Sequence, residues 1–118
     1  FIDSSRAYQG VTGNLDNTYM AAVERIAIDG TMPDITIILD ISAEKGLFRA
    51  GKRRGSENAD RFEKEDIAVH EARRQAFLAI AEAEPDRCKI IDADRPQDAI
   101  ADDIAKEVDN VLRERGLL

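Results

Sequence analysis

The chain has 118 residues, 43% hydrophobic and 35% charged, and this composition predicts one globular domain rather than a disordered chain. Its formal net charge of −7 and its pI near 4.7 argue against a general nucleic-acid binder, because neutralising phosphates requires a surplus of Lys and Arg. It contains no apolar run near the ~20 residues that span a bilayer, so we expect no membrane partner.

Polar side chains crowd the opening stretch, FIDSSRAYQG, which contains Ser4, Ser5, Tyr8 and Gln9. If this stretch is helical, Ser5 and Gln9 share a face. The Gln amide both donates and accepts hydrogen bonds, which suits the edge of a nucleobase, and Tyr8 suits packing on a sugar or ring. The alternative is a helix N-terminus that is capped by Ser4 or Ser5.

A helix, a strand and a short helix are predicted next. Apolar residues at helical spacing predict a helix over residues 15–28, which Gly30 ends. The Ile-rich run ITIILDI, residues 35–41, fits a strand buried on both faces of a parallel sheet. Ser42 is a candidate N-cap for a helix that runs through Arg49.

The stretch RAGKRRGSENADR, residues 49–61, has no apolar periodicity and predicts a mobile surface loop. It concentrates basic residues in an otherwise acidic chain: Arg49, Lys52, Arg53, Arg54 and Arg61. One Arg side chain can donate to two phosphoryl oxygens at once, so a basic loop of this kind suits closing over phosphates. The alternative is a solvated loop whose charges pair with acidic neighbours, which are Glu57, Asp60 and Glu63.

The second half repeats the helix–strand–helix pattern. A helix over residues 63–83 precedes a second buried strand, CKIIDA, and Pro96 starts a last helix. Strands that alternate with helices predict a parallel α/β sheet. Because two strands do not make a stable open sheet, we expect further strands upstream of Phe1. We therefore do not expect the natural chain to begin at Phe1.

Three features of the chain bear on chemistry. Asp40 and Asp92 end the two strands, at the edge where ligands gather in open α/β sheets, although Asp40 would also suit capping the next turn. Cys88 is the only cysteine, which excludes an intrachain disulfide and predicts a small buried hydrophobe in a reducing compartment. His70, the only histidine, has no nucleophile to activate, and with one cysteine it argues against zinc.

Four stretches together resemble the bacterial thymidylate kinases. FIDSSRAYQG followed by GNLD is similar to the region just after the family's Asp-Arg-aromatic motif, with Phe1 as the aromatic residue. PDITIILDISAEKGLFRA resembles the fourth strand and its following helix, DRFEKEDIAVHEARRQAF the lid and its trailing helix, and IDADRP the turn near the nucleotide base. The resemblance spans nearly the whole chain.

The resemblance implies a P-loop kinase-like parallel sheet in a three-layer α/β/α fold, incomplete in this chain. Residues 1–118 would form a single domain, the C-terminal part of a nucleoside monophosphate kinase, with the lid at about residues 49–62. The implied reaction is ATP + dTMP → ADP + dTDP, with Mg²⁺ accompanying ATP, in a cytoplasmic homodimer. The phosphate-binding pattern G-x-x-x-x-G-K-[ST], the Asp-Arg pair and the acidic residue that places magnesium are missing here, so the chain alone is not expected to catalyse.

The resemblance also implies roles for single residues. Ser5 and Gln9 would read the N3–H and O4 of thymine, and Tyr8 would lie beside the deoxyribose, where its bulk disfavours a 2′-hydroxyl. Arg53 and Arg54 would be the catalytic arginines of the lid. ATP would be bound by five further residues: Arg49, Arg61, Ala93, Arg95 and Pro96.

Two other functions remain open. One is another P-loop nucleotide kinase with a different acceptor, against which SSRAYQG argues. The other is a non-catalytic interaction module, which the missing phosphate-binding loop and the acidic composition would suit. Phe77 stands where many relatives have Tyr, so stacking would persist there while a hydroxyl hydrogen bond is lost.

Overall fold

The computed structural model describes residues 1–11, 13–54 and 67–118, with only the backbone described at positions 11, 53 and 54. Its elements in chain order are α1 (Ile2–Ser5), a π-helical segment (Arg6–Val11), α2 (Asn17–Ile28), β1 (Thr36–Asp40), α3 (Ala43–Arg54), α4 (Ile67–Ala83), β2 (Cys88–Asp92) and α5 (Gln97–Glu114). Among the described helices, none has the length and apolar character to cross a membrane.

The two strands lie side by side and parallel, which confirms the predicted α/β arrangement. Their register runs from Thr36 opposite Cys88 to Asp40 opposite Asp92. Because the two strands start and end at the same level, the carboxylates of Asp40 and Asp92 lie at the same end of the sheet. We call this the carboxyl end of the sheet, and we call the edge with Thr36 and Cys88 the amino end.

The core lies between the sheet and α4. Ile38, Ala81 and Cys88 are buried together, and Phe77 and Ile80 pack against them. The prediction for Cys88 is confirmed, and burial raises the pKa of its thiol. The strands are less buried than predicted, because Leu39 and Ile90 are each about half exposed. Within the described residues, the helices cover each face of the sheet only in part.

The structure corrects the ends of α2 and α3. Helix α2 starts at Asn17 and not at Leu15, because Asp16 caps it by accepting from the backbone N–H groups of Thr18 (2.8 Å) and Tyr19 (3.2 Å). Ser42 caps α3 as predicted, since its Oγ accepts from the Lys45 N–H at 3.3 Å.

Helix α3 does not end at Arg49 but continues to Arg54, so residues 49–54 are helical and their assignment to a loop was wrong. Lys, Arg and Ala favour helices, and basic residues suit a helix C-terminus. The predicted loop from residue 55 onward and the predicted start of the next helix, residues 63–66, lie outside the described residues.

The first residues of two further helices, α1 and α5, differ from the prediction. Helix α1 has Phe1 at its N-cap without a side-chain cap, so capping by Ser4 or Ser5 was wrong, and the Ser5 hydroxyl instead donates to the Phe1 carbonyl at 3.2 Å. Helix α5 has Pro96 at its N-cap, one position before the first turn, and it ends at Glu114.

Candidate functional site

Buried ion pairs anchor the N-terminal segment that carries Tyr8 and Gln9. Asp3 is 4% exposed and Arg87 is 9% exposed. The Arg87 guanidinium donates to both carboxylate oxygens of Asp3, at 2.8 and 2.9 Å, and to the Thr36 hydroxyl at 2.7 Å. Arg87 therefore lowers the pKa of Asp3, although burial opposes this shift. The contacts join α1 to the first residue of β1.

Arg6 extends this network to α2 and to the residue that follows α4. Its Nε donates to Glu24 of α2 at 2.8 Å, and its Nη1 donates to Glu84, just after α4, at 2.6 Å. Glu84 also accepts from Arg87 at 3.0 Å. Arg6 thus ties the π-helical segment to α2 and to the residue that follows α4. The sequence prediction missed these residues, since no local pattern links partners up to 84 positions apart.

A cavity of about 280 Å³ lies at the carboxyl end of β1, as expected for a ligand site in this fold class. Its lining includes Tyr8, Asp40, His70, Arg73 and Phe77. The Arg73 guanidinium carbon lies 4.4 Å from the centre of the Tyr8 ring. The Phe77 ring centre lies 6.5 Å from that of Tyr8, with the rings at 71°. We call this space the tyrosine cavity.

Asp40, at the end of β1, is held by α4. The Arg74 guanidinium donates to its two carboxylate oxygens, at 2.8 and 3.3 Å, and to Glu71 at 2.8 Å. Glu71 in turn accepts from the Ala43 N–H at 3.2 Å, which with Arg74 lowers the pKa of Glu71. Asp40 therefore lines the cavity and binds Arg74, which fixes α4 against the start of α3.

The other two predicted substrate residues lie outside the tyrosine cavity. Ser5 lines a separate apolar cavity of about 230 Å³ together with Phe1, Met20 and Val23. Gln9 is exposed, and its backbone carbonyl accepts from the Leu15 N–H at 3.1 Å. The structure thus does not bring Ser5, Tyr8 and Gln9 into one cavity, although they belong to one short stretch of chain.

Most of the described candidate ATP residues do meet, around a cavity of about 640 Å³ between α3 and α5, which we call the basic cavity. The Arg49 guanidinium donates to the Ala93 carbonyl at 2.7 Å. Arg95 donates to the Asp92 carbonyl at 2.9 Å and to Asp103 at 2.7 Å. Apolar side chains complete the lining, among them Leu39, Ile41 and Ile104.

Asp94 links the two sides of the basic cavity. It accepts from Lys45 and, at 3.4 Å, from Arg49, and Lys45 is the main cause of its lowered pKa. The side chains of Arg53 and Arg54, and the whole of Arg61, lie outside the described residues. Their roles stay predictions.

The described residues do not fit a magnesium site. They contain no group of three or more His, Cys, Asp or Glu residues that could hold a metal ion. At the carboxyl end, Asp40 is also engaged by Arg74 and Asp94 by Lys45 and Arg49, while the Asp92 carboxylate accepts from the backbone N–H of Asp94. We therefore derive no step through a protein-held metal.

Comparison with known proteins confirms the resemblance seen in the sequence. The family model described as thymidylate kinase matches residues 1–104. A thymidylate kinase of Nitrobacter winogradskyi is 52% identical over 101 residues, which cover 86% of this chain and 44% of the relative. A thymidylate kinase of Rhodopseudomonas palustris is 46% identical over 108 residues, which cover 92% of this chain and 47% of the relative. The chain spans about half the length of these curated relatives, and it belongs to the thymidylate kinase family.

Proposed function

We propose that the complete protein transfers the γ-phosphoryl group of ATP to dTMP and forms dTDP and ADP. The observation that carries this proposal is the family match over residues 1–104, together with relatives named thymidylate kinase at 46% and 52% identity. The two cavities at the carboxyl end of the sheet support it, because phosphoryl transfer requires a donor and an acceptor held close together.

The tyrosine cavity is proposed to hold dTMP. Tyr8 and Phe77 offer aromatic surface for the sugar and base, and Arg73 adds positive charge to the same lining. In this proposal Tyr8 lies beside the deoxyribose, whereas Ser5 and Gln9 read the thymine edge. Ser5 and Gln9 both lie outside the tyrosine cavity, so the roles of these two residues rest on the resemblance to the family.

The basic cavity is proposed to hold ATP. Its apolar lining suits the adenine ring, and Arg49 and Arg95 supply positive charge at its rim, next to the turn of Ala93 and Pro96. Arg53 and Arg54 lie about one helical turn beyond Arg49 on α3. They are proposed to neutralise charge on the transferring phosphoryl group, and Arg61 is proposed to bind ATP. Mg²⁺ would accompany ATP and neutralise its phosphates.

An oxygen of the dTMP phosphate attacks the γ-phosphorus as the bond to the ADP oxygen breaks. In this loose transition state, positioning and charge neutralisation do most of the work.

We also propose that the complete protein is a cytoplasmic homodimer, with neither nucleic acid nor membrane as a partner. Helix α2 has no buried residue, and its Tyr19 and Ile26 side chains are 60% and 81% exposed. An apolar helix face of this kind is typical of an interface between protein copies. Sedimentation of the full-length protein tests this, with a monomer at micromolar concentration as the contrary result.

The function is tested by steady-state kinetics of the full-length protein. Replacing both Arg53 and Arg54 by Ala should lower kcat by about 10³-fold or more, because arginines that contact the transferring group act mainly in the transition state. The dissociation constant of dTMP should change far less. The matched control replaces Lys106 and Arg113, two exposed basic residues of α5, by Ala and should leave kcat near the wild-type value.

Three results would contradict this proposal. An unchanged kcat in the Arg53 and Arg54 double variant would remove the lid assignment. Preferential phosphorylation of another nucleoside monophosphate in a competition assay would favour a different P-loop nucleotide kinase. Full-length wild-type protein that transfers no phosphoryl group to any nucleotide would favour a non-catalytic interaction module.

A further inference from the structure

The Tyr8 ring is held by two side chains from one helix. Arg73 and Phe77 are four residues apart on α4, so they lie one turn apart on the same face. The Arg73 guanidinium carbon lies 4.4 Å from the ring centre, within the range of a cation–π contact. The Phe77 ring meets the Tyr8 ring at 71°, in the edge-to-face geometry that aromatic pairs prefer. Together these contacts restrict the tilt of the Tyr8 ring.

The neighbouring arginine has a different task. Arg74 is bound to Asp40 and Glu71, and these pairs fix α4 against β1 and the start of α3. Arg73 is thereby carried on a part of α4 that is anchored to the sheet. Tyr8 is anchored from the other side, because the ion pairs of Arg6 and Asp3 hold its segment. Ion pairs thus fix both the segment that carries the ring and the helix that carries the guanidinium.

We propose that Arg73 is a positioning residue that holds Tyr8 against the sugar and so makes the site select deoxyribose over ribose nucleotides. This inference rests on the proposed function, in which Tyr8 lies beside the deoxyribose of dTMP. A ring of fixed tilt leaves no room for an added 2′-hydroxyl, whereas a ring that is free to swing accommodates one. Tyr8 is 38% exposed, so surrounding core residues do not by themselves immobilise it.

The test compares kcat/KM for dTMP and for ribothymidine 5′-monophosphate in the full-length protein. Arg73→Leu should lower the preference for dTMP about 5- to 10-fold, since one cation–π contact is lost. Arg73→Lys should retain much of the preference because a cation remains over the ring. Phe77→Leu should also lower it. Gln75→Leu is the matched control on the same helix, outside the tyrosine cavity, and should keep the wild-type preference.

A role that is only structural would reduce kcat/KM for both nucleotides equally, and an unchanged preference in Arg73→Leu would overturn the proposal. A readout without turnover is the fluorine NMR spectrum of protein labelled with 3-fluorotyrosine, in which the Tyr8 signal is assigned by its loss in Tyr8→Phe. Arg73→Leu should shift this signal, and Gln75→Leu should not.

The two proposals fail in different ways. If the wild-type protein phosphorylates neither nucleotide, the selectivity role falls together with the proposed function, and the fluorine signal then shows separately whether Arg73 holds Tyr8. If dTMP is phosphorylated but neither the preference nor the fluorine signal responds to Arg73→Leu, the proposed function stands and this inference is wrong.

Discussion

The two ends of the sheet use the same pairing of arginine with carboxylate in different surroundings. At the amino end, the side chains of Arg87 and Asp3 are 10% and 6% exposed, and their two hydrogen bonds lie well away from water. At the carboxyl end, Arg49 and Asp94 are 46% and 42% exposed beside the basic cavity, and their contact is longer, at 3.4 Å. The two ion pairs have the same chemistry but differ in their exposure to solvent.

This difference separates charges that hold the fold from charges that a ligand can recruit. A buried ion pair that loses one partner leaves an uncompensated charge in a poorly polarisable environment, so it is costly to break. An exposed pair contributes little, because water solvates both ions once they separate. Arg49 could therefore exchange its carboxylate partner for a phosphate at small cost, whereas Arg87 could not.

The largest effect is expected at the amino end. Arg87→Met should lower the free energy of unfolding by about 3 kcal/mol, because it leaves the buried Asp3 carboxylate with only the more distant Arg6, at 3.6 Å, as a cation. Urea unfolding of the full-length protein measures this. Adding Asp3→Leu to Arg87→Met should recover much of the loss, since the orphaned charge disappears. If Arg87→Met alone is as stable as wild type, the ion pair of Arg87 and Asp3 does not hold the fold.

Acid should weaken the same network. The pKa values of Asp3 and Glu84 are lowered in the folded state, chiefly by hydrogen bonds from Arg87. Lowered folded pKa values mean that this stabilisation is fully present above the ordinary carboxyl values of 3.8 and 4.5 and is lost as the pH falls through the folded ones. Thermal unfolding should therefore shift to lower temperature below about pH 4.5. Asp3→Asn, less stable at neutral pH, should lose less on acidification, and an equal loss in both proteins would contradict this.

A smaller and different effect is expected at the carboxyl end. Asp94→Asn should leave the unfolding midpoint nearly unchanged, because Asp94 is exposed. It should change the KM for ATP by a few-fold, since Lys45 and Arg49 are released from the carboxylate at the rim of the basic cavity. Asp109→Asn, at an exposed position of α5, is the control. Strong destabilisation by Asp94→Asn would erase the contrast between the two ends.

The sequence predicted the fold where the pattern is local. The apolar runs that become β1 and β2 stand out between helices, and Gly30 marks the end of α2. The extension of α3 was missed because Gly51 and four charged residues among residues 49–54 hide the helix propensity of Lys, Arg and Ala. The buried pair of Asp3 and Arg87 left no local signal, since its members are 84 residues apart.

The candidate site was predictable to a similar degree. Tyr8 and Arg49 stand out by residue type and by resemblance, and both line cavities at the carboxyl end of the sheet. Arg73 was missed because it lies next to Arg74 on the same helix, and sequence does not reveal which guanidinium faces an aromatic ring. That distinction requires the position of α4 relative to the π-helical segment, which tertiary packing sets.

The most direct test of the contrast between the two ends is a crystal structure of the full-length protein with dTMP bound. We predict that the deoxyribose contacts Tyr8 in the tyrosine cavity, and that Arg87 still donates to both oxygens of Asp3. A nucleotide bound at the amino end of the sheet, or one that displaces Asp3 from Arg87 and lies away from Tyr8, would contradict it.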